Sequence, residues 1–166
     1  MNFFEQYHIF IIGCLFLSIL IGMTFFTWRE KQWVKKNFNK KDIIALGFGI
    51  TCFGLSSDHG SLNKYKGFLL VHKKGLLFKG RFSDIIFDIP GQSIKKVYHG
   101  DSHKETRLYQ SAVKVDFLDR TEINSEAIDT IAFKVAYPAQ WIKIVKKHLL
   151  HESIGNTVKN KFSNTG

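Results

Sequence analysis

Residues 66–81 read KGFLLVHKKGLLFKGR, with Lys73, Lys74 and Gly75 between two apolar runs. Two short apolar runs separated by three residues that end in glycine are typical of a β-hairpin. This stretch therefore predicts strands at residues 66–72 and 76–81, joined by a turn at residues 73–75. Further strands and a helix are predicted on both sides of this hairpin.

Further strands are predicted on the C-terminal side of the hairpin. The apolar run at residues 85–89 ends at Pro90 and Gly91, a pair that favours a turn. Residues 93–99, 111–118 (SAVKVDFL) and 130–136 (TIAFKVA) follow, and the last two alternate clearly between apolar and polar residues. Apolar residues at every second position are expected where an antiparallel sheet buries one face and exposes the other.

Residues 43–55, IIALGFGITCFGL, precede the hairpin and allow two interpretations. As a helix, 13 residues would reach only about 20 Å, which is short of a bilayer core. The glycines at positions 47, 49 and 54 also weaken a helix. We therefore predict a buried strand. A second membrane segment is the alternative, and it would move the domain to the opposite side of the membrane.

The periodicity changes after Pro138, a residue that suits the first turn of a helix. An apolar stripe with helical spacing follows, made of Trp141, Ile144, Val145, His148 and Leu149. Residues 152–166 are polar and aperiodic, which predicts a flexible tail. Residues 43–151 are thus expected to form a β-rich α+β domain. Its fold would be a bent antiparallel sheet of about six or seven strands closed by the C-terminal amphipathic helix.

Residues 9–28, IFIIGCLFLSILIGMTFFTW, predict a transmembrane helix. Twenty helical residues span about 30 Å, the thickness of the hydrocarbon core. A cleaved signal peptide is the competing interpretation. It is disfavoured because residues 1–8 carry Glu5 and no Lys or Arg, and because no small-x-small cleavage site ends the run. A single span is therefore expected, with a short N-terminus at residues 1–8.

The formal net charge is +10, and the densest basic cluster follows the apolar run directly. Such a flank predicts that residues 1–8 lie outside the cell and that the C-terminal domain is cytoplasmic. The segment 29–42 is expected to be a juxtamembrane linker whose charge either fixes only the topology or also attracts anionic lipid of the inner leaflet. Its basic residues are Arg29, Lys31, Lys35, Lys36, Lys40 and Lys41.

The run from Gly67 to Phe78, with Ile85, Pro90 and Val97 beyond it, resembles the core of GRAM and bacterial PH-like domains. The resemblance covers residues 66–150, and it rests on packing and turn residues. It implies a PH-like fold and a non-catalytic module, since proteins of this superfold commonly bind phosphoinositides or protein segments at membranes.

The basic residues of the hairpin are the candidate binding site for an anionic lipid headgroup, with a solvated basic surface as the alternative. They are Lys64, Lys66, Lys73, Lys74, Lys79 and Arg81. His99, Asp101 and His103 have the spacing of metal ligands on a helix, but Gly100 and Ser102 favour a loop. No catalytic motif, metal site or cofactor is predicted, and two cysteines exclude a disulfide framework.

A membrane-anchored binding module, acting as an adaptor or sensor, is the function that these features favour. The alternative is an accessory subunit of a larger membrane complex. A weak stripe of small residues in the span, at Gly13, Ser18 and Gly22, is its only support. Binding to nucleic acid is disfavoured because the aromatic residues occupy buried strand positions rather than an exposed stacking surface. A protein partner remains open.

Overall fold

The computed structural model describes residues 3–58, 60–119 and 127–150. The predicted tail at residues 152–166 lies outside this described part. The chain divides into two compact units, Met1–Asn39 and Lys40–Gly166.

The first unit is a long helix, α1 (Phe3–Asn37). Its section Phe10–Asn37 is long enough to cross a membrane, and an 18-residue window within it has a mean hydropathy of 2.3. Large apolar side chains such as Phe10, Leu15 and Met23 are exposed along it. A helix that exposes apolar side chains on all sides fits a lipid environment better than water. One helix that could span a membrane is thus present where the sequence predicts it.

Helix α1 continues through most of the segment predicted as a linker and ends at Asn37. Residues 29–37 contain neither Pro nor Gly, and Arg, Lys, Glu and Gln are good helix formers. Lys35 and Lys36 in the last turn also interact favourably with the negative end of the helix dipole. Only Phe38 and Asn39 therefore separate α1 from the next element, a 3₁₀ turn at Lys40–Asp42.

The helix also shows how the small residues of the span are arranged. Gly13 and Gly22 are nine positions apart, or about two and a half turns, so they lie on opposite sides of α1. The hydroxyl of Ser18 donates a hydrogen bond to the Cys14 carbonyl oxygen within the same helix. Ser18 and Gly22, four positions apart, still share a face, so the weak stripe is reduced to these two residues, and the accessory-subunit function stays a prediction.

The second unit contains an antiparallel sheet of seven strands. The strands are β1 (Ile43–Leu55), β2 (Tyr65–His72), β3 (Gly75–Gly80), β4 (Ile86–Pro90), β5 (Ile94–His103), β6 (Thr106–Asp119) and β7 (Ala127–Lys134). Their order across the sheet is β4-β3-β2-β1-β7-β6-β5. The chain thus runs through two meanders, and β1 pairs with both β2 and β7 to join them.

Strand β1 confirms the strand prediction for residues 43–55 over the alternative of a second span. Its glycines have a local role. Gly49 and Gly54 adopt positive φ angles of 68° and 76°, and each lies at a shift in strand register. Such conformations are easily adopted only by glycine, and irregularities of this kind bend a strand. Strand β1 thus bends once within its pairing with β2 and once within its pairing with β7.

One face of the sheet forms the main core, and α2 (Pro138–Val145), followed by a π-helical turn (Lys146–Leu150), packs against it. Val145 and Leu149 are buried there, and Trp141, Ile142 and Ile144 are partly buried against the same cluster. The sheet contributes Leu69, Val71, Phe78, Val97, Val113, Val115, Ile131 and Phe133. A large antiparallel sheet with a C-terminal helix is therefore confirmed.

The sequence-based interpretation of residues 100–102 as a loop is wrong. Strand β5 continues to His103, and a two-residue turn at Lys104 and Glu105 leads directly into β6. Both turn residues have positive φ angles, 48° and 59°, which a two-residue hairpin turn requires. Lys and Glu are not the residues usually found in such turns, so no sequence signal marked it.

Candidate functional site

The six basic residues predicted as one site lie in two separate places. Lys64 and Lys66 lie at the start of β2, whereas Lys73 and Lys74 form the β2–β3 turn. Lys66 and Lys73 are seven positions apart along extended chain, or about 23 Å. Lys79 and Arg81 return along β3 to the first location, where the Arg81 N–H donates to the Lys66 carbonyl oxygen at 2.7 Å. One small anion cannot contact all six.

The β2–β3 turn meets part of the basic segment that follows α1. The Lys73 N–H donates to the Asp42 carbonyl oxygen at 3.0 Å, and the Lys73 ammonium lies 2.9 Å from the Asp42 carboxylate. Lys40 and Lys41 belong to the same 3₁₀ turn as Asp42. The fold thus gathers four exposed cations, which we call the turn lysines: Lys40, Lys41, Lys73 and Lys74.

A second basic location borders an open cleft of about 730 Å³, called here the outer cleft. Its apolar floor includes Phe53 and Leu108, which pack with Ala112, Ala132 and Leu62 in a cluster separate from the main core. Ala132 lies between the core residues Ile131 and Phe133 along β7, so by strand alternation this cluster lies on the opposite face of the sheet. Its cationic residues are Lys64, Lys66, Arg107 and Lys134.

Two of these lysines lie on either side of a threonine. Thr51 of β1 pairs directly with Lys66 of β2 and with Lys134 of β7. Directly paired residues share a face, and adjacent strands are about 4.8 Å apart, so the two lysine Cα atoms are about 10 Å apart. No carboxylate is among the described residues that line the outer cleft. Among the described lining residues, the charges of Lys66 and Lys134 in the row Lys66–Thr51–Lys134 are therefore not balanced by a carboxylate.

A hydrogen-bonded carboxylate orders the chain just after β1. Asp129 is only 3% exposed, and it accepts hydrogen bonds from the Ser56 and Ser57 hydroxyls and from the Thr130 N–H at 2.7 Å. Burial raises the pKa of the Asp129 carboxyl, but these hydrogen bonds outweigh burial and leave the pKa below its usual value. Asp129 is thus an ionised structural residue that holds the loop beside the outer cleft.

The candidate metal ligands do not come together. His103 is buried, and its Nε2 lies 3.0 Å from the Gly54 carbonyl oxygen, whereas His99 and Asp101 are exposed. Burial lowers the pKa of His103, and the hydrogen bond to Gly54 opposes this in part. Within residues 3–58, 60–119 and 127–150, no three His, Cys, Asp or Glu side chains are grouped so that they could hold a metal ion.

Cys52 is a core residue rather than a reactive thiol. It is fully buried, and burial raises its pKa to about 12, although the Gly54 N–H donates to its sulfur. A protonated, inaccessible thiol is a poor nucleophile.

Sequence reasoning missed Thr51, Phe53, Arg107 and Lys134 as parts of a site. Lys134 lies in a predicted strand, and its alternation with Phe133 already indicates a position outside the core. Its neighbours across the sheet, however, follow only from the pairing of β1 with β7.

Comparison with known proteins gives a likeness of fold alone. No protein-family model and no curated protein matches the chain. A chain in a solved structure described as "The 8S snRNP Assembly Intermediate" is similar, with a TM-score of 0.50 and 6% identity. The match covers 68% of this chain and 85% of that chain.

Proposed function

We propose that this protein is a single-pass membrane protein whose second unit is a PH- or GRAM-like binding module at the cytoplasmic face. The lipid-compatible surface of α1 supports the anchor, and the basic residues that follow the apolar run support the orientation. Seven antiparallel strands and a C-terminal helix against the core support the PH-like assignment.

Binding rather than catalysis is the role that the polar groups favour. The buried side chains Asp129 and His103 hold neighbouring backbone and hydroxyl groups, and Cys52 is a protonated core residue. Groups committed to such contacts contribute to the fold and are not available to a substrate. An adaptor or sensor that recognises an anionic ligand is therefore the proposed activity.

The turn lysines are the observation on which the anionic ligand rests. Four exposed lysines from two chain segments share one end of the sheet, and Asp42 compensates only part of their charge. A lysine near an anionic membrane surface contributes about 1 kcal/mol, and salt screens this attraction. Several lysines together therefore suffice for reversible binding to the anionic lipids of an inner leaflet.

Vesicle flotation tests this function with the full-length protein in phosphatidylcholine nanodiscs. We expect the nanodiscs to float with vesicles that contain phosphatidylserine and not with phosphatidylcholine vesicles. The Lys73→Glu/Lys74→Glu variant should lose this flotation, because the turn lysines change from net positive towards neutral. The matched control is Lys146→Glu/Lys147→Glu, which reverses an exposed lysine pair after α2. Equal flotation by both variants would contradict the proposal.

A further inference from the structure

The outer cleft is distinct from the turn lysines, and its composition indicates a different kind of ligand. We infer that it binds an acidic peptide segment of a partner protein, with carboxylates on the cationic residues and an apolar side chain on the floor. This inference is independent of the lipid contact at the β2–β3 turn.

The charges of the cleft are spread along its border instead of converging on one point. Lys64 precedes β2, Lys66 lies on β2, Arg107 on β6 and Lys134 at the end of β7. Lys66 and Lys134 are about 10 Å apart across Thr51, too far to share one small anion closely. Several carboxylates spaced along an extended chain would match this distribution. The threonine hydroxyl between the lysines adds a neutral donor.

The floor of the cleft provides the second half of the recognition. Phe53 and Leu108 are 6% and 7% exposed, and Leu62 and Tyr65 are partly exposed beside them. At the border, Phe82 is 74% exposed, which is unusual for so large an apolar side chain. A cleft of about 730 Å³ has room for a few side chains and not for a folded domain. A short segment with an aliphatic or aromatic residue fits it.

An acidic peptide explains these features better than the other anionic macromolecules do. A lipid carries its charge at one end of its apolar part, whereas here the cationic residues come from β2, β6, β7 and the position just before β2. A single-stranded nucleic acid needs a series of exposed aromatic rings on which successive bases stack. Of the three aromatic residues that line the cleft, Phe53 is buried, Tyr65 is only partly exposed and Phe82 alone is exposed.

Fluorescence anisotropy tests the inference with the full-length protein in phosphatidylcholine nanodiscs. The probe is a labelled peptide of alternating glutamate and leucine. We expect saturable binding that Lys66→Glu/Lys134→Glu weakens at least about tenfold, since charge pairs across an interface make contributions of this order. Phe82→Ser should weaken binding without any change in charge. The Lys143→Glu/Lys147→Glu variant, which reverses two exposed lysines outside the cleft, should bind as the unmodified protein does.

Further probes distinguish the competing ligands. A glutamate–serine peptide should bind at least about tenfold more weakly, because it lacks the apolar side chain. Phosphatidylserine vesicles and oligodeoxythymidylate should not displace the peptide. The inference fails if the glutamate–leucine peptide does not bind or if the two lysine variants bind it equally. It also fails if the serine peptide binds as well, or if vesicles or oligonucleotide displace the probe. Thermal melting of each variant verifies that the fold is retained.

Discussion

His103 illustrates how burial changes the acid–base behaviour of a single side chain. Burial disfavours the charged imidazolium and lowers the pKa of His103, and Lys114 and Lys104 lower it further. The hydrogen bond with Gly54 and the charge of Asp129 oppose the shift without cancelling it. The unfolded chain, with an ordinary histidine pKa of 6.5, therefore binds a proton more readily than the folded protein.

This difference predicts that the protein loses stability in mild acid. The contribution of His103 is complete above pH 6.5 and is lost as the pH falls from there towards its lower folded pKa. Urea unfolding between neutral and mildly acidic pH should show this loss. His103→Gln retains a donor and should flatten the dependence. Burial also lowers the pKa of His72, so part of the dependence should remain. An unchanged profile in the variant would contradict the assignment.

The burial and the hydrogen-bond partners of Asp129 show how far the role of a single residue follows from the sequence. Asp129 shares the strand parity of Ile131 and Phe133, but the strand was predicted to begin at residue 130, so Asp129 was not anticipated as part of it. Such a position requires hydrogen-bond donors, since an unpaired buried charge is costly. The donors themselves, Ser56 and Ser57, lie more than 70 positions earlier in the chain. No local pattern could identify them.

Among the elements, the β2–β3 hairpin depends on glycine because two backbones approach closely. Gly67 pairs directly with Gly80, and a Cβ atom at position 67 would lie 1.9 Å from the Lys79 carbonyl oxygen. A contact this short with backbone atoms cannot be relieved by turning a side chain. The strands would have to separate.

We therefore expect Gly67→Ala to lower the free energy of unfolding by about 1–3 kcal/mol, as overpacking typically does. Gly100→Ala in β5 is the matched control, because its Cβ would meet only the flexible side chain of Lys114. That variant should change stability by less than about 1 kcal/mol. Chemical denaturation of both proteins measures the difference, and equal stabilities would contradict the close approach.

The two hairpins also show why one was predicted and the other was not. The β2–β3 turn carries Gly75 between two apolar runs, which is a direct signal. The β5–β6 turn places Lys104 and Glu105 at positive φ angles, which neither residue favours by itself. The extensive pairing of β5, which precedes the turn, with β6, which follows it, imposes these backbone angles. The β5–β6 turn therefore forms because the strands pair, although the propensities of its two residues disfavour it.

For the molecule as a whole, strands were predictable and their neighbours were not. Apolar runs, turn signals and period-two alternation marked the strands, but no pattern indicated that β1 pairs with β7. That pairing brings Lys66 and Lys134, 68 positions apart in sequence, to either side of Thr51. The outer cleft is a product of sheet order, whereas Lys73 and Lys74, two of the four turn lysines, are adjacent because of a local hairpin.

The proposed orientation gives a prediction for the complete protein in cells. An epitope fused to the C-terminus should resist protease added outside intact cells and become sensitive after permeabilisation. Alkaline carbonate should leave the protein in the membrane fraction, because about 30 Å of apolar helix matches the hydrocarbon core. An epitope on the N-terminus should show the opposite protease sensitivity. Cleavage of the C-terminal epitope in intact cells would reverse the orientation.

The strands at the two edges of the sheet affect whether copies of the protein self-associate. Strands β4 and β5 form the two open edges, where unpaired backbone groups invite another copy to add its own strand. Strand β4 spans only five residues and ends in Pro90, which has no N–H to donate, and β5 begins with the exposed cations Lys95 and Lys96. Short edges, proline and lysine all hinder such growth. Copies crowded together should thus resist polymerising into continuous ribbons.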